Sequence, residues 1–87
     1  MPSTETSDLY SRLVGERLRD ARKAMGLTQR EVAERLGIGP SAVARIETGR
    51  ENLTIGRLAR VAGALGVGLD IQFPVPDDRA EDYQRAA

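Results

Sequence analysis

Covalent chemistry has little to work with in this chain. Its 87 residues include no histidine, no cysteine and no tryptophan, and only one phenylalanine. The chain therefore has few of the usual catalytic or cofactor-binding groups, and neither an enzyme nor a cofactor is expected. One group of residues has the chemistry for a hard cation: Asp77, Asp78, Glu81 and Asp82 in the C-terminal PVPDDRAEDYQRAA. Their spacings could gather carboxylates on a helix face, but no glycine turn or fixed loop pattern accompanies them. The expectation for residues 74–87 is a flexible, solvated acidic tail without a metal. The alternative is a docking segment for a basic protein, with Tyr83 as its aromatic anchor.

The remaining chemistry is that of charge and hydrogen-bond donors, and it is unevenly distributed. Thirteen basic and thirteen acidic residues cancel over the whole chain. Residues 9–66, however, hold eleven arginines and lysines against six acids, while both ends are acidic. A basic central part with acidic ends suits a domain that faces phosphates, although mixed charge also serves simply to solubilise a small domain. No apolar run approaches membrane-spanning length. MPSTETSDLY lacks the basic start and apolar stretch of a signal peptide, so a soluble cytoplasmic protein with no membrane partner is expected.

The elements that would position these groups centre on residues 28–49, TQREVAERLGIGPSAVARIETG. Thr28 and Glu31 have the spacing of a capping box, which predicts a helix starting at Gln29. Val32, Ala33 and Leu36 fall on one face of it, and Gly37 provides the stop. Pro40 suits the first position of a second helix, where Val43 and Ile46 form an apolar stripe before Gly49. Two short helices joined by a tight turn result, neither long enough to stand alone.

At these residues the chain resembles the lambda repressor and Cro-like superfamily, the XRE family. The family pattern LTQxxxAxxLGxxxxxVxxxExG is matched by Leu27, Thr28, Gln29, Ala33, Leu36, Gly37, Val43, Glu47 and Gly49. Similarity extends over roughly residues 15–66. The fold implied is all-α, a lambda-repressor-like bundle of four or five short helices whose helix-turn-helix places its second helix in the major groove of double-stranded DNA.

On either side of the motif the chain divides as follows. Residues 1–8 are polar and expected to be flexible. A helix is predicted over Leu9–Met25, capped by Ser7 or Asp8 and stopped by Gly26, with Leu13, Arg17, Ala21 and Ala24 inward alongside Leu18 and Met25. Arg22 is singled out by the resemblance, since its family counterpart pairs with the counterpart of Glu47. Thr54 can cap a further helix over Ile55–Leu65, with Ile55, Leu58, Ala59, Ala62 and Leu65 inward and Gly66 as its stop. Gly56 and Gly63 weaken that helix; close packing on a neighbour would account for Gly63. The helix-turn-helix domain is thus placed at residues 9–66.

After Gly66 the apolar period changes to two. Val67, Leu69, Ile71 and Phe73 alternate with Gly68, Asp70 and Gln72, predicting a strand over residues 67–73. The chain holds no second strand to pair with it, and the same strand of a second copy is the economical partner. The alternative is an extended tail folded over the monomer. The strand departs from the commonest family pattern, and the arrangement looks like HipB-type antitoxin regulators, where such a strand completes the dimer; pairing residues 67–73 with their mates would bury Leu69, Ile71 and Phe73 together.

Contacts follow from the resemblance. It places Gln29 near the DNA backbone, where its amide can hold a phosphate and support the recognition helix. Pro40, Ser41, Ala42 and Arg45 lie where family counterparts meet base edges. Ser41 can donate or accept, Ala42 can meet a thymine methyl, and Arg45 can fork onto guanine. Pro40 offers only an apolar contact where many members have glutamine, which moves readout towards Arg45. Arg50 and Asn52 fall in the loop that tracks phosphates. The function implied is a homodimeric, sequence-specific repressor on a palindromic operator, in one form the antitoxin of an autoregulated operon with a toxin partner. A stand-alone phage or chromosomal repressor, or a protein-binding adaptor that uses the fold without DNA, are the alternatives.

Overall fold

The computed structural model describes residues 2–73, with four helices and no strand among them: α1 (Pro2–Ala24), α2 (Gln29–Leu36), α3 (Pro40–Glu47) and α4 (Ile55–Leu65). The tail at residues 74–87, with its carboxylates and Tyr83, lies outside the described residues.

Local signals set the helix boundaries. The Thr28 hydroxyl accepts from the Glu31 backbone N–H at 3.1 Å, and the Thr28 N–H donates to Glu31 Oε1 at 3.0 Å, so the predicted capping box is complete. Thr54 likewise accepts from the Arg57 N–H. Gly37 and Gly66 close α2 and α4 with φ of 71° and 79°, a left-handed conformation that other residues adopt only with strain. Pro40 opens α3 at a position whose N–H would have had no intrahelical acceptor, and Gly39 before it contributes no side-chain cap.

The helices enclose one core: Leu18 from α1, Val32 and Ala33 from α2, Val43 and Ile46 from α3, and Val61, Ala62 and Leu65 from α4. Val32 and Leu65 are each only 1% exposed and bridge the α2–α4 contact. α3 packs against both α1 and α2, which leaves it one outward face. Arg35 adds a polar tie between α2 and α4, its Nη1 donating to the Ala64 carbonyl at 2.9 Å.

Five expectations are corrected. α1 begins at Pro2, earlier than the predicted start at Leu9; polar residues are tolerated in a helix where no breaker interrupts it. The inward face of α1 is also rotated from the predicted one. Val14, Gly15, Leu18, Ala21 and Arg22 face the core, whereas Leu13, Arg17, Ala24 and Met25 are exposed. Gly15 permits this close approach: a Cβ there would collide with the Ile46 carbonyl oxygen and stand 2.8 Å from that of Glu47 at the end of α3. In α4, Val61 is buried while Ile55 is 70% exposed, and a Cβ on Gly63 would meet nothing within 4 Å, so close packing does not account for that glycine. Finally, residues 67–73 form no strand, since a ladder needs a partner backbone and the described chain supplies none. Val67 packs against the core, and Leu69, Ile71 and Phe73 are exposed.

Candidate nucleic-acid interface

The orientation of α3 is fixed at its C-terminal end by a buried ion pair. Arg22 Nε donates to Glu47 Oε2 at 2.6 Å, and Arg22 Nη2 donates to Glu47 Oε1 at 3.0 Å. The third nitrogen, Nη1, donates to the Leu27 carbonyl at 2.8 Å. Gln29 at the start of α2 completes the cluster, its Nε2 donating to Glu47 Oε1 at 3.1 Å. The Glu47 carboxylate at the end of α3 thereby joins α1 and the first residue of α2, and Arg22 in turn ties down the α1–α2 turn. The two charged side chains are only 11% and 5% exposed, and every buried side-chain polar atom among the described residues has a partner. Such a pair is costly to desolvate but costlier to break, since removing one partner leaves a buried charge uncompensated.

Titration follows from this geometry. Burial pushes the Glu47 carboxyl up, but hydrogen bonds from Arg22 and Gln29 and the charges of Arg22 and Arg19 outweigh it, holding the group below the ordinary carboxylate range. The Glu47 hydrogen bond, against the opposing effect of burial, raises Arg22 above its ordinary value and keeps it charged. Glu31 is lowered by the backbone and side-chain hydrogen bonds of the capping box.

With Val43, Ile46 and Glu47 turned inward, the outward face of α3 presents Pro40, Ser41 and Arg45, and Ala42 is half-buried beside them. Arg50 and Asn52 are exposed in the loop that follows. That loop is anchored: the Arg50 N–H donates to the Arg45 carbonyl at 2.9 Å, and Gly49, at φ 76°, sits so close to Arg12 of α1 that a Cβ would be 2.6 Å from its Cα. Six of the seven residues assigned to DNA thus share the surface formed by α3 and its following loop. The seventh, Gln29, is half-buried, with its amide nitrogen committed to Glu47.

One functional neighbour was not anticipated from sequence. Glu51 in the loop accepts from Arg45 Nε at 3.1 Å. The pair is separated by six residues across a helix end, so helical spacing does not suggest it; only the chain reversal at Gly49 brings the two together. Nearby, Tyr10 and Val14 of α1 and Asn52 and Leu53 of the loop line a groove of about 150 Å³, well below the roughly 300 Å³ at which small-molecule sites begin. Among the described residues there is no cluster of metal-ligating side chains, and no helix is long and apolar enough to cross a membrane.

A family profile described as helix-turn-helix matches residues 18–72. The chain belongs to the XRE-type helix-turn-helix family. Among its relatives, an uncharacterised transcriptional regulator in the ATPase CF(0) region of Rhodospirillum rubrum is 33% identical over 75 residues, covering 84% of this chain and 69% of that protein. An uncharacterised HTH-type transcriptional regulator of Sinorhizobium fredii is 37% identical over 67 residues, 77% of this chain and 86% of the relative. The immunity repressor protein of Bacillus phage phi105 is 43% identical over 54 residues, which is 62% of this chain but 38% of the repressor. No solved structure matches the chain.

Proposed function

We propose that this chain is a DNA-binding transcriptional repressor that acts by recognition and not by catalysis, in the cytoplasm, as a homodimer on a palindromic operator. The observation that carries the proposal is the division of labour on α3. Its inward residues Val43, Ile46 and Glu47 hold the helix to the core and to Arg22, while Ser41 and Arg45 stand outward with side chains suited to base edges. Arg50 and Asn52 extend this surface as phosphate contacts. Gln29 acts through Glu47, its amide donor serving to brace the recognition helix.

A homodimer is supported by two considerations. An eight-residue helix reads only a few base pairs, so discrimination requires two copies on half-sites about 34 Å apart. The segment after α4 leaves Leu69, Ile71 and Phe73 exposed, Phe73 at 92%, an apolar surface suited to a second copy. The antitoxin form of the proposal, with a toxin as partner and a HipB-type dimer, depends on residues 67–73 pairing as a strand, which they do not do in the single chain. Repression without a toxin partner is the better supported form, and the phage relative named as an immunity repressor favours it.

The test is selection of bound duplexes from a random pool, followed by affinity measurements at several salt concentrations. A palindromic motif and an affinity that falls steeply with salt are expected. Failure of any sequence to enrich, together with salt-independent affinity, would refute the proposal and leave the fold as a protein-binding adaptor.

A further inference from the structure

Glu51 presents a physical problem on the proposed DNA-facing surface. It is a carboxylate next to the residue assigned to guanine, where phosphates would repel it and where an uncharged residue would bind DNA more tightly. Its side chain is 26% exposed, that of Arg45 is 50% exposed, and the single hydrogen bond between them runs from Arg45 Nε to Glu51 Oε1. Neither Nη1 nor Nη2 of Arg45 has a hydrogen-bond partner among the described residues.

We propose that Glu51 is a positioning residue for Arg45 and raises specificity at the base pair Arg45 reads. This rests on the assignment of Arg45 to base readout. Held at Nε, the guanidinium plane loses most of its torsional freedom before DNA arrives, and the fork formed by Nη1 and Nη2 stays available for the O6 and N7 acceptors of guanine. The acceptor is itself held in place. Gly49 reverses the chain directly after α3, its position against Arg12 prevents the loop from sliding, and the Arg50 N–H ties the loop back to the Arg45 carbonyl. Where the base pair offers no matching acceptors, Glu51 remains the better partner for Arg45 and its charge opposes the phosphates. The repulsion weakens both kinds of complex, and only the specific one offsets it through the preset arginine.

The experiment measures affinity by fluorescence anisotropy for the selected operator and for the same duplex with the Arg45-dependent base pair exchanged. Parent, Glu51→Ala, Glu51→Gln, Arg45→Ala and the Arg45→Ala/Glu51→Ala double variant are compared, and thermal melts confirm that each is folded. Glu51→Ala should reduce discrimination between the two duplexes about threefold, the range of a half-exposed ion pair. It should also tighten binding to the exchanged duplex. Glu51→Gln, which keeps an acceptor for Nε, should restore most of the discrimination, although the charge is gone. In the Arg45→Ala background, Glu51→Ala should change both duplexes by the same factor. The proposal is overturned if Glu51→Ala alters both duplexes equally with Arg45 in place, since that is the signature of a bare charge. Arg45→Ala with no loss of discrimination at any base pair would instead remove the readout assignment itself, and this proposal with it.

Discussion

Replacing Glu47 by alanine should be among the most damaging single changes available to this protein. The substitution removes the acceptor of two Arg22 hydrogen bonds and one from Gln29, while the Leu27 carbonyl still holds Arg22 Nη1. A guanidinium with an 11% exposed side chain then keeps its charge with one hydrogen bond out of three. Breaking a buried pair in this way costs about 3–5 kcal/mol. Partial rescue by water entering the space vacated by the carboxylate favours the lower end, about 3 kcal/mol. Since 1 kcal/mol shifts Tm by roughly 4–8 °C in a domain of this size, melting should fall by about 12 °C or more. The assay is a thermal melt followed by circular dichroism, with urea unfolding to check that the m-value is unchanged. A double variant, Arg22→Met with Glu47→Leu, provides the control, because apolar replacement of both charges removes the orphan and should recover much of the loss. A Glu47→Ala protein within 0.5 kcal/mol of the parent would refute the assignment of the pair as the tie between α1 and α3.

Other outcomes follow from the same geometry. Because the Glu47 carboxyl is held below its ordinary value of 4.5, its contribution to stability is fully present above that value and lost as pH falls through the lower folded value; acid melts should show Glu47→Gln less pH-dependent than the parent in that window, and equal slopes would count against it. Gly15→Ala should destabilise by at least 1 kcal/mol through collision with the α3 carbonyls, whereas Gly63→Ala, with open space around it, should stabilise by about 1 kcal/mol; urea midpoints test both. Arg50→Ala should weaken all duplexes alike and reduce the salt slope by about 1, and a base-specific change would move Arg50 out of the phosphate-contact class. Ile71→Pro should yield monomers with undiminished helical circular dichroism, because the segment lies outside all four helices; a variant that still sediments as a dimer would place the interface elsewhere.

What could be read in the sequence was what depends on neighbours a few residues away. Thr28 with Glu31, Thr54, Pro40 and the left-handed glycines each fix a boundary through one or two local hydrogen bonds or one φ angle, so α2, α3 and α4 begin and end as expected. The Arg22–Glu47 pair is 25 residues apart and came from the family resemblance, not from any local pattern. The face of α1 was missed because its inward positions include a glycine and an arginine, while Leu9, Tyr10, Leu13 and Met25 place more apolar surface on the outside. A hydrophobicity pattern weighs side chains by size and cannot register Gly15, whose contribution is the absence of one. Ile55 misled in the same way, being a large apolar residue at the exposed start of α4. The alternation after Gly66 has the period of a strand, but hydrogen-bonded pairing is a property of two backbones, and residues 67–73 form no strand in the single chain.

A helix as short as α3 has few side chains to offer DNA. Of the eight residues of α3, Val43, Ile46 and Glu47 are buried and Ala42 and Ala44 are half-buried, so Pro40, Ser41 and Arg45 are what remains exposed. Proline brings no hydrogen-bond donor, and serine accepts several partners, which leaves one arginine to carry most of the direct choice between bases. A single arginine on a flexible stem is also attracted to any phosphate. Selectivity then has to come from outside the helix. On the proposed reading, Arg22 and Gln29 brace α3 through Glu47, Glu51 presets the arginine, and a second copy would repeat the same contacts one helical turn along the DNA. On this proposal the overall neutrality of the chain is no obstacle: Glu47 and Glu51 each accept from a neighbouring basic or amide side chain, and the exposed Arg50 would supply the attraction that does not depend on sequence.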